Sequence, residues 1–266
     1  MILSSDYSAY LETARQAADA AERCLREAMR DGAQEVHFKE DATPVTEVDF
    51  AAETAILKVL REAFPGHQVW SEESGGGDRD AEWLWLVDPL DGTRSFIRGT
   101  PFFSTQIALM HRGRVVVGVS SAPAMGETAW ASLGGGAWLN DRPIKVSHVS
   151  GLRDAHLSTG NLRSLARDPA AWSRLGDLSG RVERTRGYGD FSHYHYLARG
   201  ALDLVIESDV NILDVAALSL LVEEAGGRVS GLDGRPLGLD SSHILASNGR
   251  LHDSVLRQLQ WNRKTA

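Results

Sequence analysis

A short apolar run in the first half of the chain leads directly into two carboxylates. The residues after Trp83–Val87 are Asp88-Pro89-Leu90-Asp91-Gly92-Thr93. Pro89 fixes its own φ and biases Asp88 toward extended backbone, so the two carboxylates and the Leu90 carbonyl could converge on one point. Hard oxygen ligands of this kind suit Mg²⁺. If a helix opens after Thr93, the backbone N–H groups of Gly92 and Thr93 would offer an anion site beside the cations.

The same residues also suit an ordinary turn, in which an Asp-Pro pair is followed by a Gly-Thr helix start. Further acidic residues favour the interpretation as a site. They lie at the ends of predicted helices and strands, at positions Asp49, Glu72, Glu73 and Asp214. Each could separately be a helix cap or a surface charge. Together they indicate a cluster of carboxylates.

In this order the motifs resemble the inositol monophosphatase superfamily, whose signature has three parts. These are a Glu-Glu pair, then Asp-Pro-Ile/Leu-Asp-Gly-Thr, then an Asp in a Trp-Asp step before a helix. The matching residues are Glu72-Glu73, Asp88–Thr93 and Asp214, and the resemblance runs from about Lys39 to Leu259. It implies an α/β fold with an α+β N-terminal half, arranged as a layered α/β/α/β/α sandwich. It also implies metal-assisted hydrolysis of a phosphomonoester.

The resemblance further implies that the acids hold a pair of cations. Glu72, Asp88 and the Leu90 carbonyl would bind one Mg²⁺, and Asp88 would bridge it to a second. Asp91 and Asp214 would complete the second site. Two metals about 3.5–4 Å apart can hold an attacking water and neutralise charge on the phosphoryl and leaving oxygens. Magnesium, at two or three ions per active site, is therefore the expected cofactor.

The catalytic residues implied by the resemblance are Asp49, Thr93 and Glu72. Asp49 and Thr93 match the pair that orients and deprotonates the attacking water, with the threonine hydroxyl passing its proton toward the aspartate. Glu73 would support this group of ligands and help position a third, weaker cation.

Two positions depart from the family pattern. Leu213 stands where the family usually has tryptophan, and Ser71 stands where glycine commonly precedes the glutamates. Because neither is a metal ligand in the family, we expect altered packing near Asp214 and retained activity. Lys39 lies in the region of a family lysine that approaches the site.

Two segments of the second half look like the histidinol-phosphate phosphatase branch of the superfamily. They are Leu157–Leu165 and Arg186–Phe191. Histidinol phosphate carries an ammonium and an imidazole, for which Asp190 and Glu207 would be suitable partners through charge-assisted hydrogen bonds. Asp190 could also be the N-cap of the helix that follows it. Asn161 could donate or accept at the edge of the pocket.

The residues expected to contact the substrate combine the acid cluster with this second segment, where Arg186 could anchor the pocket or the phosphate. The full set is Asp91, Gly92, Thr93, Arg186, Asp190, Glu207 and Asp214. His193 and His195 follow Asp190 on the same predicted helix, but they are two residues apart and face different sides, so neither is interpreted as a metal ligand.

Hydrophobic periodicity predicts the elements that position these residues. Helices are predicted over Tyr7–Met29, from Val48 to Pro65-Gly66, and over Phe191–Ala198, Asp214–Ala225 and Arg250–Leu259. Strands are predicted at Val69-Trp70, Trp83–Val87, Thr105–Met110, Val115–Ser121, Thr128–Ser132, Ala137–Leu139, His156–Ser158 and Leu202–Ile206. Short connections in the first half predict an antiparallel meander. We expect an α+β metal-binding half at residues 1–150 and an α/β half at 151–266 that completes the active site.

Composition narrows the class of partner. The chain has 36 acidic and 28 basic residues, and no run of Lys or Arg resembles a nucleic-acid footprint. No apolar stretch approaches the ~20 residues that span a bilayer. The single cysteine, Cys24, is interpreted as a core residue in a cytoplasmic protein. We expect a small phosphorylated metabolite as partner, neither nucleic acid nor membrane, and, from the resemblance, a homodimer.

Three functions remain open at the level of sequence. The first is a magnesium-dependent phosphatase acting on L-histidinol phosphate. The second is an inositol monophosphatase, or a phosphatase of broader sugar- or nucleotide-phosphate specificity, which would share every metal ligand. The third, less favoured, is a partner-binding protein with a vestigial site, although every carboxylate that the two-metal mechanism requires is present.

Overall fold

The computed structural model describes residues 6–31, 36–38 and 44–261. The helices are α1 (Ser8–Asp31), α2 (Glu47–Ala63), α3 (Thr93–Ile97), α4 (Arg163–Arg167), α5 (Pro169–Ser179), α6 (Asp190–Ala198), α7 (Ile212–Glu224) and α8 (His252–Leu259). A 3-10 turn covers Leu152–Asp154. Lys39, one of the positions raised by the sequence, lies outside the described residues.

The strands form a hairpin and two larger sheets. The hairpin joins β1 (Val36–Phe38) and β2 (Pro44–Thr46). The seven-stranded sheet, in chain order, contains β3 (Gln68–Ser71), β4 (Trp83–Asp91), β5 (Ser104–His111), β6 (Arg114–Ala122), β7 (Glu127–Ser132), β8 (Gly136–Leu139) and β9 (Arg142–Ile144). The five-stranded sheet contains β10 (His156–Gly160), β11 (Arg184–Arg186), β12 (Leu204–Ser208), β13 (Arg228–Ser230) and β14 (His243–Ser247).

Short turns make most of the seven-stranded sheet an antiparallel meander, as predicted. β3 alone is parallel to its neighbour β4, and every later pair is antiparallel. The five-stranded sheet has the order β11-β10-β12-β14-β13 and mixes both senses, with β10 parallel to β11 and β12, and β14 antiparallel to β12 and β13. Parallel pairs need long connections. Helices α4, α5 and α6 lie in those connections.

Successive side chains of the strands point to opposite faces of each sheet, and both faces are covered by helices, so the fold has five layers. On β4, Trp85 and Val87 pack against α1 and α2, whereas Leu84 and Leu86 face the opposite side. That opposite side contacts α6 and α7, which also pack against the five-stranded sheet through residues such as Val205. The far face of the five-stranded sheet is covered by α5 and α8. This is the predicted layered α/β/α/β/α sandwich.

Helix α7 is apolar on nearly every side because it lies between the two sheets, where each face is buried. It approaches the seven-stranded sheet closely at Gly118, where an added Cβ would be 2.7 Å from the Ala217 carbonyl oxygen. Leu213, at the family's tryptophan position, is buried in the same core. The departure is therefore accommodated by apolar packing.

Every helix and strand predicted from periodicity is present, with ends shifted by a few residues. The tryptophans of β4 belong to the core, as predicted: Trp85 is buried, and Trp83 is partly buried and stacks on His111. Cys24 is partly buried beside the same core cluster. Among the described residues, no helix is both long and apolar enough to cross a membrane. The division at residue 150 stays a prediction.

Candidate active site

An irregularity at the end of β4 brings two carboxylates to one face of the sheet. Asp88 pairs with Gln106 of β5, but Asp91 pairs with Ser104, so three steps on β4 match two on β5. Residues three apart on a regular strand would face opposite sides, and one extra residue in a bulge restores the same side. The proline within the bulge has no N–H to lose from the ladder. Both carboxylates therefore face the layer that contains α7.

The turn after Asp91 is built around a glycine. Gly92 has φ 86° and is the N-cap of α3. A Cβ there would be 2.5 Å from the Phe102 carbonyl oxygen, so conformation and space both require glycine. Helix α3 then begins at Thr93, as the sequence suggested. The Thr93 hydroxyl lies 3.2 Å from Asp49 Oδ1 and 3.1 Å from the Leu90 carbonyl oxygen, and either oxygen can accept its hydrogen bond.

Asp49 is held in the first turn of α2 by Thr46. Its Oδ2 accepts hydrogen bonds from the Thr46 backbone N–H at 2.8 Å and from the Thr46 hydroxyl at 2.6 Å. Its Oδ1 faces Thr93. Burial raises the pKa of Asp49, against the lowering effect of these hydrogen bonds. The structure thus brings together the Asp49 and Thr93 pair that the resemblance implied.

Glu72 reaches the cluster from the adjacent strand. Its backbone N–H donates to the Val87 carbonyl at 3.1 Å, which continues the β3–β4 pairing into the next turn. Its side chain is hydrogen-bonded to Asp88. Glu73, the next residue, is partly exposed. The turn is tied to α2 because Glu53 accepts from both the backbone N–H and the hydroxyl of Ser74 at 3.0 Å.

Asp214 enters from the N-terminal turn of α7. It is the third residue of the helix, and its Oδ2 accepts from the backbone N–H of the N-cap Asn211 at 3.3 Å. Its side chain also hydrogen-bonds with Asp88. The helix N-terminus favours negative charge at this position. Asp88 therefore lies between Glu72 and Asp214, as expected for a carboxylate that bridges two sites.

The cluster is electrostatically crowded. Burial raises the pKa of Asp88 well above its usual range, and the charges of Glu72, Asp214 and Asp91 raise it further. Burial also raises the pKa of Asp91, with the charges of Asp190 and Asp214 adding to the effect. For Asp214, burial and the charge of Glu72 raise the pKa to about 7.

Such a donor set, composed of hard oxygens with excess negative charge, fits a divalent cation. Within residues 6–31, 36–38 and 44–261, no three His, Cys, Asp or Glu side chains are already grouped as metal ligands, and Asp88 is instead hydrogen-bonded to its carboxyl neighbours. Glu72, Asp88, the Leu90 carbonyl, Asp91 and Asp214 are the groups that would hold magnesium. A cation would neutralise the repulsion among them.

Asp190 lies beside this cluster in a strained backbone conformation. It is the first residue of α6 and has φ 48°, while Gly189 before it is the N-cap with φ 77°. The alternative that Asp190 caps the helix is therefore wrong. Burial and the charge of Glu207 raise the pKa of Asp190 to about 6, partly offset by His193. Left-handed backbone is costly for a non-glycine residue and is often found at functional sites.

Glu207 on β12 is the second acid of this part of the site. It is buried, and its Oε2 is 3.0 Å from His193 Nε2 and accepts from the Tyr194 hydroxyl at 2.7 Å. Gly160 leaves the space for it, since a Cβ there would be 2.3 Å from Oε1 of Glu207. Protein groups thus fix one carboxylate oxygen of Glu207 in place.

Arg186 and Asn161 do not reach the acids in this structure. The Arg186 side chain is exposed and donates to the Thr185 carbonyl at 2.8 Å. Asn161 has φ 46°, and its carbonyl accepts from the Ser208 backbone N–H at 3.0 Å. A substrate role for Arg186 stays a prediction.

The two histidines of α6 point to different partners, as expected from their spacing. His193 contacts Glu207, whereas His195 lies 3.0 Å from Glu127 Oε2. One contact missed by the sequence reasoning is the Ser104 hydroxyl, which donates to Asp91 Oδ2 at 3.2 Å. The available signal was the polar run Ser104-Thr105-Gln106, which is buried at the start of β5 before the apolar residues 107–110.

Comparison with known proteins agrees with this geometry. The sequence profile of the inositol monophosphatase family matches residues 6–264. The chain belongs to the inositol monophosphatase family. It is 41% identical to a histidinol-phosphatase of Mycobacterium tuberculosis over 249 residues, covering 91% of this chain and 94% of that protein. It is 39% identical to a histidinol-phosphatase of Streptomyces coelicolor over 272 residues, covering 96% and 98%.

The fold comparison points to the same family. An inositol monophosphatase from Anabaena (Nostoc) sp. PCC 7120 superimposes with a TM-score of 0.83 at 34% identity, covering 96% of this chain and 97% of that structure. The protein is therefore a phosphatase of this family, a phosphoric monoester hydrolase. Phosphatases of the family are generally metal-dependent, which agrees with the fit of the acid cluster to a cation.

Proposed function

We propose that the protein is a magnesium-dependent phosphatase that hydrolyses L-histidinol phosphate to L-histidinol and phosphate, with two or three Mg²⁺ per active site. The observation that carries the substrate assignment is the pair of acids, Asp190 and Glu207, beside Asp91. The similarity to two proteins named histidinol-phosphatase supports the same assignment.

The acid cluster supplies the hydrolytic part of the proposal. Glu72, Asp88, Asp91, Asp214 and the Leu90 carbonyl would hold the cations. Bound Mg²⁺ supplies Lewis acidity, which polarises the phosphoryl group and neutralises the charge that develops during hydrolysis. The protein's own task is to hold the phosphate ester and the attacking water in line.

Asp49 and Thr93 are proposed to act together as the general base. The Thr93 hydroxyl donates toward Asp49 at 3.2 Å, so it can take a proton from the attacking water as it passes its own proton to the carboxylate. Thr93 then remains a neutral hydroxyl and Asp49 holds the proton. Burial raises the pKa of Asp49, which makes it a stronger base than an ordinary exposed aspartate. Glu72, which interacts with Asp88, is the third proposed catalytic residue and would help to hold the cation near the attacking water.

The acids beside the cluster support a cationic organic group. The Asp190 charge raises the pKa of Asp91, so the two carboxylates are close enough to interact. Binding an ammonium or imidazolium group there would relieve the repulsion among Asp91, Asp190 and Glu207. A charge-assisted hydrogen bond to such a group is stronger than one to a neutral hydroxyl.

Inositol phosphate is the alternative substrate, favoured by the similarity to the Anabaena inositol monophosphatase. The two proposals differ in what Asp190 does. Inositol offers only hydroxyl groups. The repulsion between the Asp190 and Asp91 carboxylates would then not be offset by a cationic group of the substrate.

The test compares Asp190→Asn with wild type on histidinol phosphate and on inositol monophosphate in saturating Mg²⁺. Loss of the charged hydrogen bond should cost about 1.5–3 kcal/mol in kcat/KM for histidinol phosphate, and almost nothing for the neutral ester. Asp141→Asn is the matched control, because Asp141 also has φ above zero, at 59°, and is exposed away from the site.

Equal losses on both esters, or a wild-type preference for inositol monophosphate, would overturn the histidinol phosphate assignment and leave the phosphatase. No phosphate release from any ester of a panel that includes fructose bisphosphate and adenosine 3',5'-bisphosphate would instead support a vestigial site. A cytoplasmic homodimer, expected from the sequence, stays a proposal that light scattering and fractionation can check.

A further inference from the structure

A row of buried polar side chains crosses the seven-stranded sheet next to Asp91. The Gln106 side-chain amide donates to the Ser104 hydroxyl at 2.8 Å and to the Ser120 hydroxyl at 3.0 Å. Ser104 in turn donates to Asp91 Oδ2 at 3.2 Å. Ser104 and Gln106 are fully buried, and Ser120 is 2% exposed. Gln106 and Ser120 are cross-strand neighbours, and Gln106 also pairs across the sheet with Asp88. They lie on the face that carries the acids, next to apolar residues such as Ala108.

The row continues into helix α6. His195 Nε2 lies 3.0 Å from the Ser120 hydroxyl, and His195 Nδ1 lies 3.0 Å from Glu127 Oε2. Arg199, one turn further along α6, donates to the other oxygen of Glu127 at 2.7 Å. An unbroken chain of hydrogen bonds therefore joins Asp91 on β4 to the middle of α6.

The donors and acceptors along this chain have a consistent direction. The Gln106 amide donates to both serines, and Ser104 donates its own proton to Asp91. The direction at His195 is set by Glu127, whose pKa is lowered mainly by its hydrogen bond with His195; an ionised carboxylate can only accept, so in a neutral ring Nε2 is left to accept from Ser120. His195 then carries its proton on Nδ1 and donates it to Glu127. Burial lowers the pKa of His195, in agreement with a neutral ring that can accept at Nε2.

This orientation has a cost, which is a reason to assign it a role. The Gln106 side-chain oxygen is buried and has no hydrogen-bond partner among the described residues. A buried acceptor without a hydrogen-bond partner destabilises the folded protein. Turning the amide over would give the oxygen partners, but the serine protons would then point inward and Asp91 would lose its donor. The observed arrangement favours Asp91.

Helix α6 also begins at the site. Asp190 is its first residue, and five residues at 1.5 Å each place His195 about 7.5 Å further along the axis. The hydrogen-bonded chain thus ties the helix that carries Asp190 to the strand that carries Asp91. Removing a residue that hydrogen-bonds to a metal ligand without contacting the metal typically lowers metal affinity or activity by about 10–100-fold.

We propose that His195 is a positioning residue that acts through Ser120, Gln106 and Ser104 to fix the Asp91 carboxylate relative to Asp190. The proposal deepens the proposed function and rests on it, in that Asp91 holds a cation and Asp190 meets the organic part of the ester. His195 itself would contact neither the cation nor the ester. Its role would be to keep the distance between Asp91 and Asp190 fixed.

The test uses His195→Phe, which keeps a ring and removes both hydrogen bonds. We expect about a 10-fold weaker binding of Mn²⁺, followed by electron paramagnetic resonance, and a comparable fall in kcat. The matched control is His252→Phe. His252 is equally buried and lies between two serine hydroxyls, Ser230 and Ser247, each at 2.9 Å, but on the far side of the five-stranded sheet.

Three further measurements separate positioning from mere packing. The double variant Ser120→Ala/His195→Phe should lose no more Mn²⁺ affinity than either single variant, because both substitutions break the same chain of hydrogen bonds. His195→Gln, whose side-chain oxygen can still accept from Ser120, should recover most of the Mn²⁺ affinity. In wild type, ¹⁵N NMR should find His195 protonated on Nδ1, and Ser104→Ala should shift that signal.

The proposal is overturned if His195→Phe lowers the melting temperature as His252→Phe does while Mn²⁺ affinity and kcat stay at wild-type values. Additive losses in the double variant would also contradict it. The Mn²⁺ titration needs no substrate, so a failure of the histidinol phosphate assignment would leave this result readable. Conversely, wild type could prefer histidinol phosphate while His195→Phe binds Mn²⁺ as wild type does. That outcome would contradict the positioning role and leave the substrate assignment standing.

Discussion

Asp88 illustrates how one residue can be unfavourable for folding and necessary for function. It is 1% exposed, and the charges that act on it most strongly are those of Glu72, Asp214 and Asp91. Burying a carboxylate among carboxylates costs free energy unless protons or cations are bound. A residue that only had to fill this position would be apolar, like Leu86 before it. The cost is what the proposed cation binding would offset.

Replacing Asp88 by asparagine should therefore separate activity from stability. We expect Asp88→Asn to lose several kcal/mol of transition-state stabilisation, since in the proposed mechanism this side chain would serve both cation sites. In chelator at neutral pH the variant should melt at or above the wild-type temperature, because one buried charge is gone. Phosphate release and melting curves provide the measurements. Asp91→Asn should behave likewise.

The control is Asp177→Asn, the same change at an exposed position of α5. It should alter neither property. Full turnover by Asp88→Asn, or by wild type in chelator, would contradict the metal-dependent mechanism.

At the scale of the elements, α7 places Asp214 by packing tightly on β6. The contact depends on Gly118, where a Cβ would lie 2.7 Å from the carbonyl oxygen and 2.9 Å from the Cα of Ala217. Both of these are backbone atoms, so they cannot move aside as a side chain could. The helix must shift if the glycine is replaced, and Asp214 would shift with it.

Gly118→Ala should lower the free energy of unfolding by about 1–3 kcal/mol, the usual cost of overpacking, and should reduce kcat. Chemical denaturation and kinetics measure the two effects. Gly176→Ala is the control, since that residue lies within α5 and nothing is within 4 Å of an added Cβ. It should stabilise by about 0.5–1 kcal/mol. Stability of Gly118→Ala equal to wild type would refute the close contact.

The elements with strong periodicity were predictable, and the short or polar ones were not. In α1 and α2 apolar residues recur every three to four positions, and β5 to β8 are separated by turns that contain glycine. In contrast, β11 is Arg-Thr-Arg, and α5 follows α4 after a single residue, so neither stands out in the sequence. Their structure depends on tertiary partners that a local pattern does not contain.

The convergence of Asp88 and Asp91 was predictable for a different reason, whereas Glu72, Asp49 and Asp214 were assigned to the cluster from the order of the motifs and the family resemblance. The bulge at Pro89 and the glycine at position 92 are local features, and their effect on the two aspartates follows from backbone geometry. The left-handed backbone of Asp190 has no such local signal. The link between Gln106 and His195 was also hidden, because it joins residues 89 positions apart whose contact depends on how α6 packs.

At the scale of the whole molecule, the candidate site lies where the layers meet. The seven-stranded sheet contributes Asp88 and Asp91, the helical layer contributes Asp190 and Asp214, and the five-stranded sheet contributes Glu207. Charge repulsion within the site therefore acts between layers. Cation binding should consequently stabilise the entire fold as well as the local loops.

Linkage gives this effect a pH dependence. The folded-state pKa of Asp214 is raised to about 7 from an ordinary value of 3.8. Between these values Asp214 binds more protons in the folded protein than in the unfolded chain, so without metal its contribution to stability is greatest below pH 4 and falls as pH rises to about 7. Since one pKa unit corresponds to about 1.4 kcal/mol, this contribution is on the order of a few kcal/mol. The raised pKa of Asp88 acts in the same direction.

Buried histidines act in the opposite direction, so the melting temperature in chelator alone is an ambiguous measure. Burial lowers the pKa of His252 to about 4, and the protein loses stability as pH falls from 6.5 through that value. The quantity to measure is therefore the difference in melting temperature with and without saturating Mg²⁺ at each pH, in which the histidine contributions cancel. We expect this difference to be near zero at pH 4 and to grow steadily up to pH 8, because the cations must displace protons from the carboxyl groups below neutrality. In Asp88→Asn the difference should be small at every pH. A magnesium effect that is the same at pH 5 and pH 8 would show that the ions bind elsewhere on the protein.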